Sequence, residues 1–153
     1  MDLQAETRSP CNRLDLLELE TALAQALRST LFSSGLTISP RRVSQIGHEF
    51  GAAFCEFCGN QDLTQARVLG ERLAQEGVGT RSLLTMTDSL RRLCTEKSDP
   101  LKELLEITTD FVNAVLEEFV LSRERRLLEI QDRTHRAHIT ALMRKQEESD
   151  QAP

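Results

Sequence analysis

Ser98-Asp99-Pro100 and the run that follows it, Leu101 to Gln146, decide the fold. Ser98 or Asp99 can cap a helix, and Pro100 suits a first helical position, where its missing N–H costs nothing. No further Pro and no Gly interrupts the run. Apolar residues recur at Leu101, Leu104, Leu105, Phe111, Val112, Val115, Leu116, Phe119 and Val120. That is the i, i+3, i+4, i+7 stripe of a core-facing helix. Ser122-Arg123-Glu124-Arg125-Arg126 is then wholly polar, and apolar residues thin out beyond it. A helix of about 47 residues is roughly 70 Å long, whereas a compact domain of this chain length is roughly 40 Å across. The last helix is therefore expected to overhang its own body by several turns. An unpacked overhang is poorly stable, so it should pair with a second copy or with another protein.

Upstream, the same reading finds four more helices and no strand. Helix one is expected from Asn12 to Phe32, with Leu16, Leu19 (or Glu20), Leu23, Leu27 and Leu31 in its stripe and Gly35 as a left-handed cap. Ser39-Pro40 should open helix two, with Val43, Ile46, Phe50, Phe54 and Phe57 on one side. Gly47, Gly51, Ala52 and Ala53 along its middle predict close approach by another helix. Gly59-Asn60 should stop it. Asp62 is placed to cap helix three, with Gln65 in the capping-box position and Leu63, Ala66, Leu69, Gly70 and Leu73 buried. Gly77-Val78-Gly79 makes the next turn. Helix four is expected from Thr80 or Arg81 to Glu96, with Leu83, Leu84, Met86, Leu90, Leu93 and Cys94 apolar. The reading is all-α: five helices, the last one long. It divides the chain into a tail (1–11), a helical body (12–122), a protruding extension (123–146) and a second tail (147–153).

At 153 residues the chain is one domain that can bury its own core. A net charge of −5 argues against general nucleic-acid binding. Aromatics are 4%, with no Trp or Tyr, which does not suit a base-stacking surface. No apolar run approaches the length of a membrane span. Met1 to Asn12 lacks the apolar core of a secretion signal. A cytoplasmic location is expected, with Cys11, Cys55, Cys58 and Cys94 reduced.

Candidate chemistry is sparse. Cys55-Glu56-Phe57-Cys58 is the one CxxC, but it closes a helix, where the dipole disfavours a thiolate. A structural zinc needs two further ligands, and no second CxxC exists. His48 could ligate haem in a globin-shaped body; a single helical His is more often hydrogen-bonded or exposed. His135 and His138 could hold a metal across two chains or act as a pH switch. They fall in the row Leu128, Gln131, His135, His138, Leu142, which has coiled-coil spacing. The adjacent row Leu127, Ile130, Thr134, Ala137, Ala141 has the same spacing and is more apolar, and both rows remain open as the seam. Arg123, Arg125 and Arg126 could bind an anion, though a charge cluster where a helix leaves its core is more often a solvated collar with i, i+4 partners such as Glu124. No constellation for catalysis is present, and no cofactor is expected.

Two stretches carry a resemblance. One is Leu69-Gly70-Glu71-Arg72-Leu73-Ala74-Gln75-Glu76-Gly77-Val78-Gly79-Thr80-Arg81-Ser82-Leu83-Leu84, followed by Leu90-Arg91-Arg92. The other runs from Ser122-Arg123-Glu124-Arg125 through Leu128-Glu129-Ile130-Gln131-Asp132-Arg133-Thr134-His135-Arg136-Ala137. They resemble the helical N-terminal region of the RsbR-like family, co-antagonists of the RsbT kinase in bacterial stress signalling. The resemblance, over Leu14 to Leu142, implies a globin-like bundle without haem that dimerises through its helices. It brings no catalytic residues. Family members usually continue into a STAS or other output domain. This chain stops at Pro153, so it is either a free-standing module or a piece of a larger protein. Free-standing, it would signal through a partner such as a kinase or a STAS-type protein.

The expected function is thus a non-enzymatic, homodimeric sensor or signalling module. Val115, Leu116, Phe119 and Val120 should join the last helix to the body. Leu127, Leu128, Ile130, Gln131, His135, His138 and Leu142 should carry the outgoing seam. The alternative is a haem, metal or thiol redox sensor.

Overall fold

The structure, a computed structural model, describes residues 15–34, 37–97 and 101–152. These form five helices: α1 (Leu16–Ser34), α2 (Pro40–Asn60), α3 (Thr64–Gln75), α4 (Thr80–Lys97) and α5 (Leu101–Asp150). The architecture is all-α with a 50-residue last helix, roughly 75 Å long. Gly35, the cap expected for α1, and the Ser98–Pro100 start of α5 lie outside the described residues, as do Asn12 and Cys11.

The helix ends show which sequence signals won. At the start of α2, Ser39 is extended (φ −63°, ψ 149°) and its hydroxyl accepts from the Arg42 N–H at 3.2 Å, with Pro40 in the first turn. The end of α2 differs from expectation. Gly59 is helical, and the left-handed residue is Gln61, at φ 55°, whose N–H reaches the Phe57 carbonyl at 2.7 Å. Asn60 supports the turn by accepting from the Asp62 N–H. The start of α3 is also displaced. Leu63 holds the N-cap position and offers no side-chain cap, while Asp62 before it accepts from the Thr64 N–H and hydroxyl. The Thr64 hydroxyl and N–H hold the Asp62 carboxyl below its ordinary pKa. The end of α3 is a Schellman turn. Gly77 takes φ 81°, its N–H meets the Ala74 carbonyl, and the Val78 N–H reaches back to Leu73. Val78 and Leu73 are both buried, the apolar contact this turn needs. Finally, α5 continues to Asp150, so residues 147–150, expected in a tail, are helical.

Packing follows the stripes. α1 lies against α2 and α4, and α3 lies mainly against α5. Phe111 of α5 fills the centre, with Phe50, Phe54 and Phe57 of α2 around it at 5.8, 5.2 and 5.7 Å between ring centres. Those distances fit favourable aromatic pairs. Leu16 and Leu84, expected inside, are half exposed. Two polar groups are buried as a pair: the Thr30 hydroxyl of α1 donates to Ser82 Oγ of α4 at 2.7 Å. On the surface, Arg42 of α2 bridges Glu49 and Glu76, tying α2 to the end of α3, and Arg72 adds to Glu49. Burial pushes the Glu49 carboxyl up, but Arg42 and Arg72 hold it below its ordinary pKa.

Two helix crossings rely on glycine. A Cβ on Gly47 would stand 2.8 Å from the Glu20 carbonyl of α1. A Cβ on Gly70 would stand 2.4 Å from the Val115 carbonyl and 3.1 Å from the Phe119 nitrogen of α5. Both obstacles are backbone, which cannot swing aside. Gly70→Ala should therefore destabilise the fold by about 2–3 kcal/mol or more. Gly59→Ala meets nothing within 4 Å and should be neutral or stabilising by up to ~1 kcal/mol. Urea denaturation followed by circular dichroism separates the two.

Candidate functional site

The feature that sets this chain apart is the outer half of α5. Burial stops at Ser122, and every described residue from Arg123 onward is exposed. The exposed helix to Asp150 is roughly 40 Å long. It carries Leu127, Leu128, Ile130, Ile139, Leu142 and Met143 in contact with solvent, each 42–64% exposed. The amphipathic pattern that built the inner half of α5 has no counterpart within one chain here.

The residues expected at the join divide. Val115 and Phe119 are fully packed in the core, Leu116 lies partly buried against it, and Val120 is half exposed. Phe119 and Val120 are neighbours on a 100° spiral, so one can face the body while the other faces out. Leu127, Leu128, Ile130, Gln131, His135, His138 and Leu142 are all exposed, and among the described residues nothing brings them to a common partner.

The arginine collar is more than a solvated rim. The Arg123 guanidinium donates to Thr80 Oγ1 at 2.6 Å. Arg126 donates to the Gln75 carbonyl at 2.9 Å and to Ala74 at 3.4 Å. Those two carbonyls belong to the C-terminal turn of α3, where a cation suits the helix dipole. Arg125 pairs with Glu118 at 2.7 Å, one further turn-pair back along α5, and not with Glu124. Two side chains thus fasten the root of the overhang to the α3–α4 turn. Sequence spacing could not find these bonds, because the acceptors are a hydroxyl and carbonyls on other helices.

The remaining candidates are placed plainly. His48 projects outward, 66% exposed, with Nδ1 2.7 Å from Glu20 Oε1, so it does not enter the core. His135 and His138 are exposed, and no group of three metal-ligating side chains occurs among the described residues. Cys58 is disulfide-bonded, while Cys55 and Cys94 are free. The CxxC therefore does not close on itself, and the expectation of four reduced cysteines does not hold at Cys58. Burial raises the pKa of the Cys55 and Cys94 thiols, Thr108 partly offsetting the effect at Cys94. Two of the depressions on the body's surface lie among the described residues. One, about 240 Å³, lies between Phe57, Leu63, Arg67, Asp110, Asn113 and Glu117. The other, about 460 Å³, runs along α1 beside Leu17, Thr21 and Gln25. No helix among the described residues is long and apolar enough to cross a membrane.

No family model, curated protein or solved structure matches this chain. Raised, buried thiols react slowly. In the folded protein at neutral pH, Cys94 should alkylate at least ~10-fold more slowly than in urea, with the rate rising towards alkaline pH. Mass spectrometry after timed iodoacetamide exposure reads this directly.

Proposed function

We propose that this protein is a non-enzymatic signalling or sensor module that dimerises through its helices and relays a signal to a regulatory protein. One observation carries the reading. A helix packed by Phe111, Val115 and Phe119 leaves its body with Leu127, Leu128, Ile130, Leu142 and Met143 uncovered. An isolated helix of that length gains its stability from packing a face, so a partner is the natural complement.

The arrangement also suits relay. Arg123 and Arg126 bond the root of the overhang to the α3–α4 turn. A small change in how α3 and α4 pack moves the points that hold α5. Packed helices have few discrete arrangements, so such a change is passed on as a rotation or shift. The resemblance to the RsbR-like region supports placing the module in bacterial stress signalling. It also supports a globin-like body, a cytoplasmic setting and a kinase or STAS-type protein as the receiver.

Light scattering with size exclusion tests this on the full chain and on a truncation after Arg126. The full chain should be a dimer, and the truncation a folded monomer or a dimer weakened at least ~10-fold. Equal association in both would remove the overhang from the function. An absorbance spectrum on the same run examines the haem alternative, since a Soret band would replace the present reading.

A further inference from the structure

We infer that α5 pairs antiparallel with α5 of a second copy, along the row Leu127, Ile130, Thr134, Ala137 and Ala141. This rests on the dimeric reading above and specifies its geometry. All five residues are exposed in the single chain. A closed pair of identical helices is either parallel and in register or antiparallel. Two rows can serve as the seam, and in the register that pairs the overhang along its whole length this leaves four arrangements. The charges that flank each seam distinguish them.

In a parallel pair, the flanking residue of one helix meets the residue five further on in the other. On the Leu127 row those contacts are Arg126 with Gln131, Arg133 with His138 and Thr140 with Lys145. On the Leu128 row they are Leu127 with Asp132 and Ala141 with Gln146. No ion pair forms, and the Arg123–Arg126 collars lie side by side, as do Glu147, Glu148 and Asp150. An antiparallel pair on the Leu128 row sets Leu127 against Glu148 and Arg125 against Gln146, again without an ion pair.

The antiparallel pair on the Leu127 row differs. Ile130 lies opposite Ala141 and Thr134 opposite Ala137, so the centre is small enough for close approach, and Leu127 lies opposite Arg144, whose aliphatic stem can cover it. At the ends, Arg123 faces Glu148, Arg126 faces Glu147, and Glu124 faces Lys145. Symmetry makes each pair twice. Arg123 and Arg126 bond a hydroxyl and two carbonyls, and no carboxylate pairs with either among the described residues. Their charges are uncompensated where the acidic end of the second copy arrives. The length agrees too. In this register Asp150 of the second copy lies opposite Leu121, beside Ser122, the last buried residue. The second helix covers the overhang and stops at the body.

Salt and charge reversal test the geometry. Attractive end pairs are screened, so the dimer should weaken as sodium chloride rises; parallel collars of like charge would make it strengthen. Arg123→Glu with Arg126→Glu, and separately Glu147→Arg with Glu148→Arg, should each weaken the dimer about tenfold or more. An equimolar mixture of the two variants should regain wild-type strength, because each end of the mixed dimer then carries opposite charges. If the arginine variant fails to fold by circular dichroism, Glu124→Lys and Lys145→Glu make the same complementation with two exposed side chains. A mixture as weak as its parts, or a dimer strengthened by salt, overturns the antiparallel geometry and leaves the dimeric reading standing. A monomeric full chain overturns both.

Discussion

The tightest constraint in the molecule is the crossing of α3 over α5 at Gly70. The Gly70 backbone lies against the Val115 carbonyl, and no side chain fits between them. This contact fixes how deeply α3 sits on the inner half of α5. It thereby fixes where the α3–α4 turn lies. The Schellman turn at Gly77 buries Val78 and presents the Ala74 and Gln75 carbonyls at the point where α5 leaves the body. Arg126 reaches those carbonyls because α3 is that close. The direction of the overhang is therefore set by a glycine remote from it in sequence and one helical turn below its root.

Most helices were readable because their apolar residues repeat at one period. Val43, Ile46, Phe50, Phe54 and Phe57 are all buried, as their spacing predicts. Ser39-Pro40 began a helix because a capping hydroxyl and a fixed φ agree with each other. Failures came where local signals competed. Gly59 has a helical backbone with open space around it, while the left-handed turn fell on Gln61, supported by Asn60. Asp62 is a good cap by type, yet it acts one residue early, from an Asx turn. Leu84 and Val120 sit one residue from the buried Leu83 and Phe119, and a 100° step carries both of them past the edge of the packed face.

The candidate site was legible in outline and not in mechanism. A polar break after Val120 and a thinning stripe announce a helix that leaves its body. The bonds that hold its root are invisible to spacing. Arg123 and Arg126 find Thr80, Ala74 and Gln75, which are remote in sequence. His48 and the CxxC drew attention by residue type. Three-dimensional placement gives them ordinary surroundings: an exposed imidazole within hydrogen-bond reach of Glu20, and two cysteines not bonded to each other.

Magnitudes say what kind of pairing the overhang can support. Leu127 and Ile130 are the large apolar residues of the antiparallel seam, and full burial of each is worth roughly 1.5–3 kcal/mol. Each is already about half covered in the single chain, at 56% and 50% exposed, so the four side chains of two copies gain roughly 3–6 kcal/mol on pairing. Association itself costs an estimated 4–15 kcal/mol. The apolar seam alone is thus at best close to balance, and end charges worth a few tenths of a kcal/mol per pair can tip it. A core as large as the one around Phe111 would lock two chains together permanently. A narrow seam of Thr134, Ala137 and Ala141 instead makes pairing sensitive to concentration, salt and the angle at which the body holds α5. For a module that must change state when its body changes, that sensitivity is the physical property required.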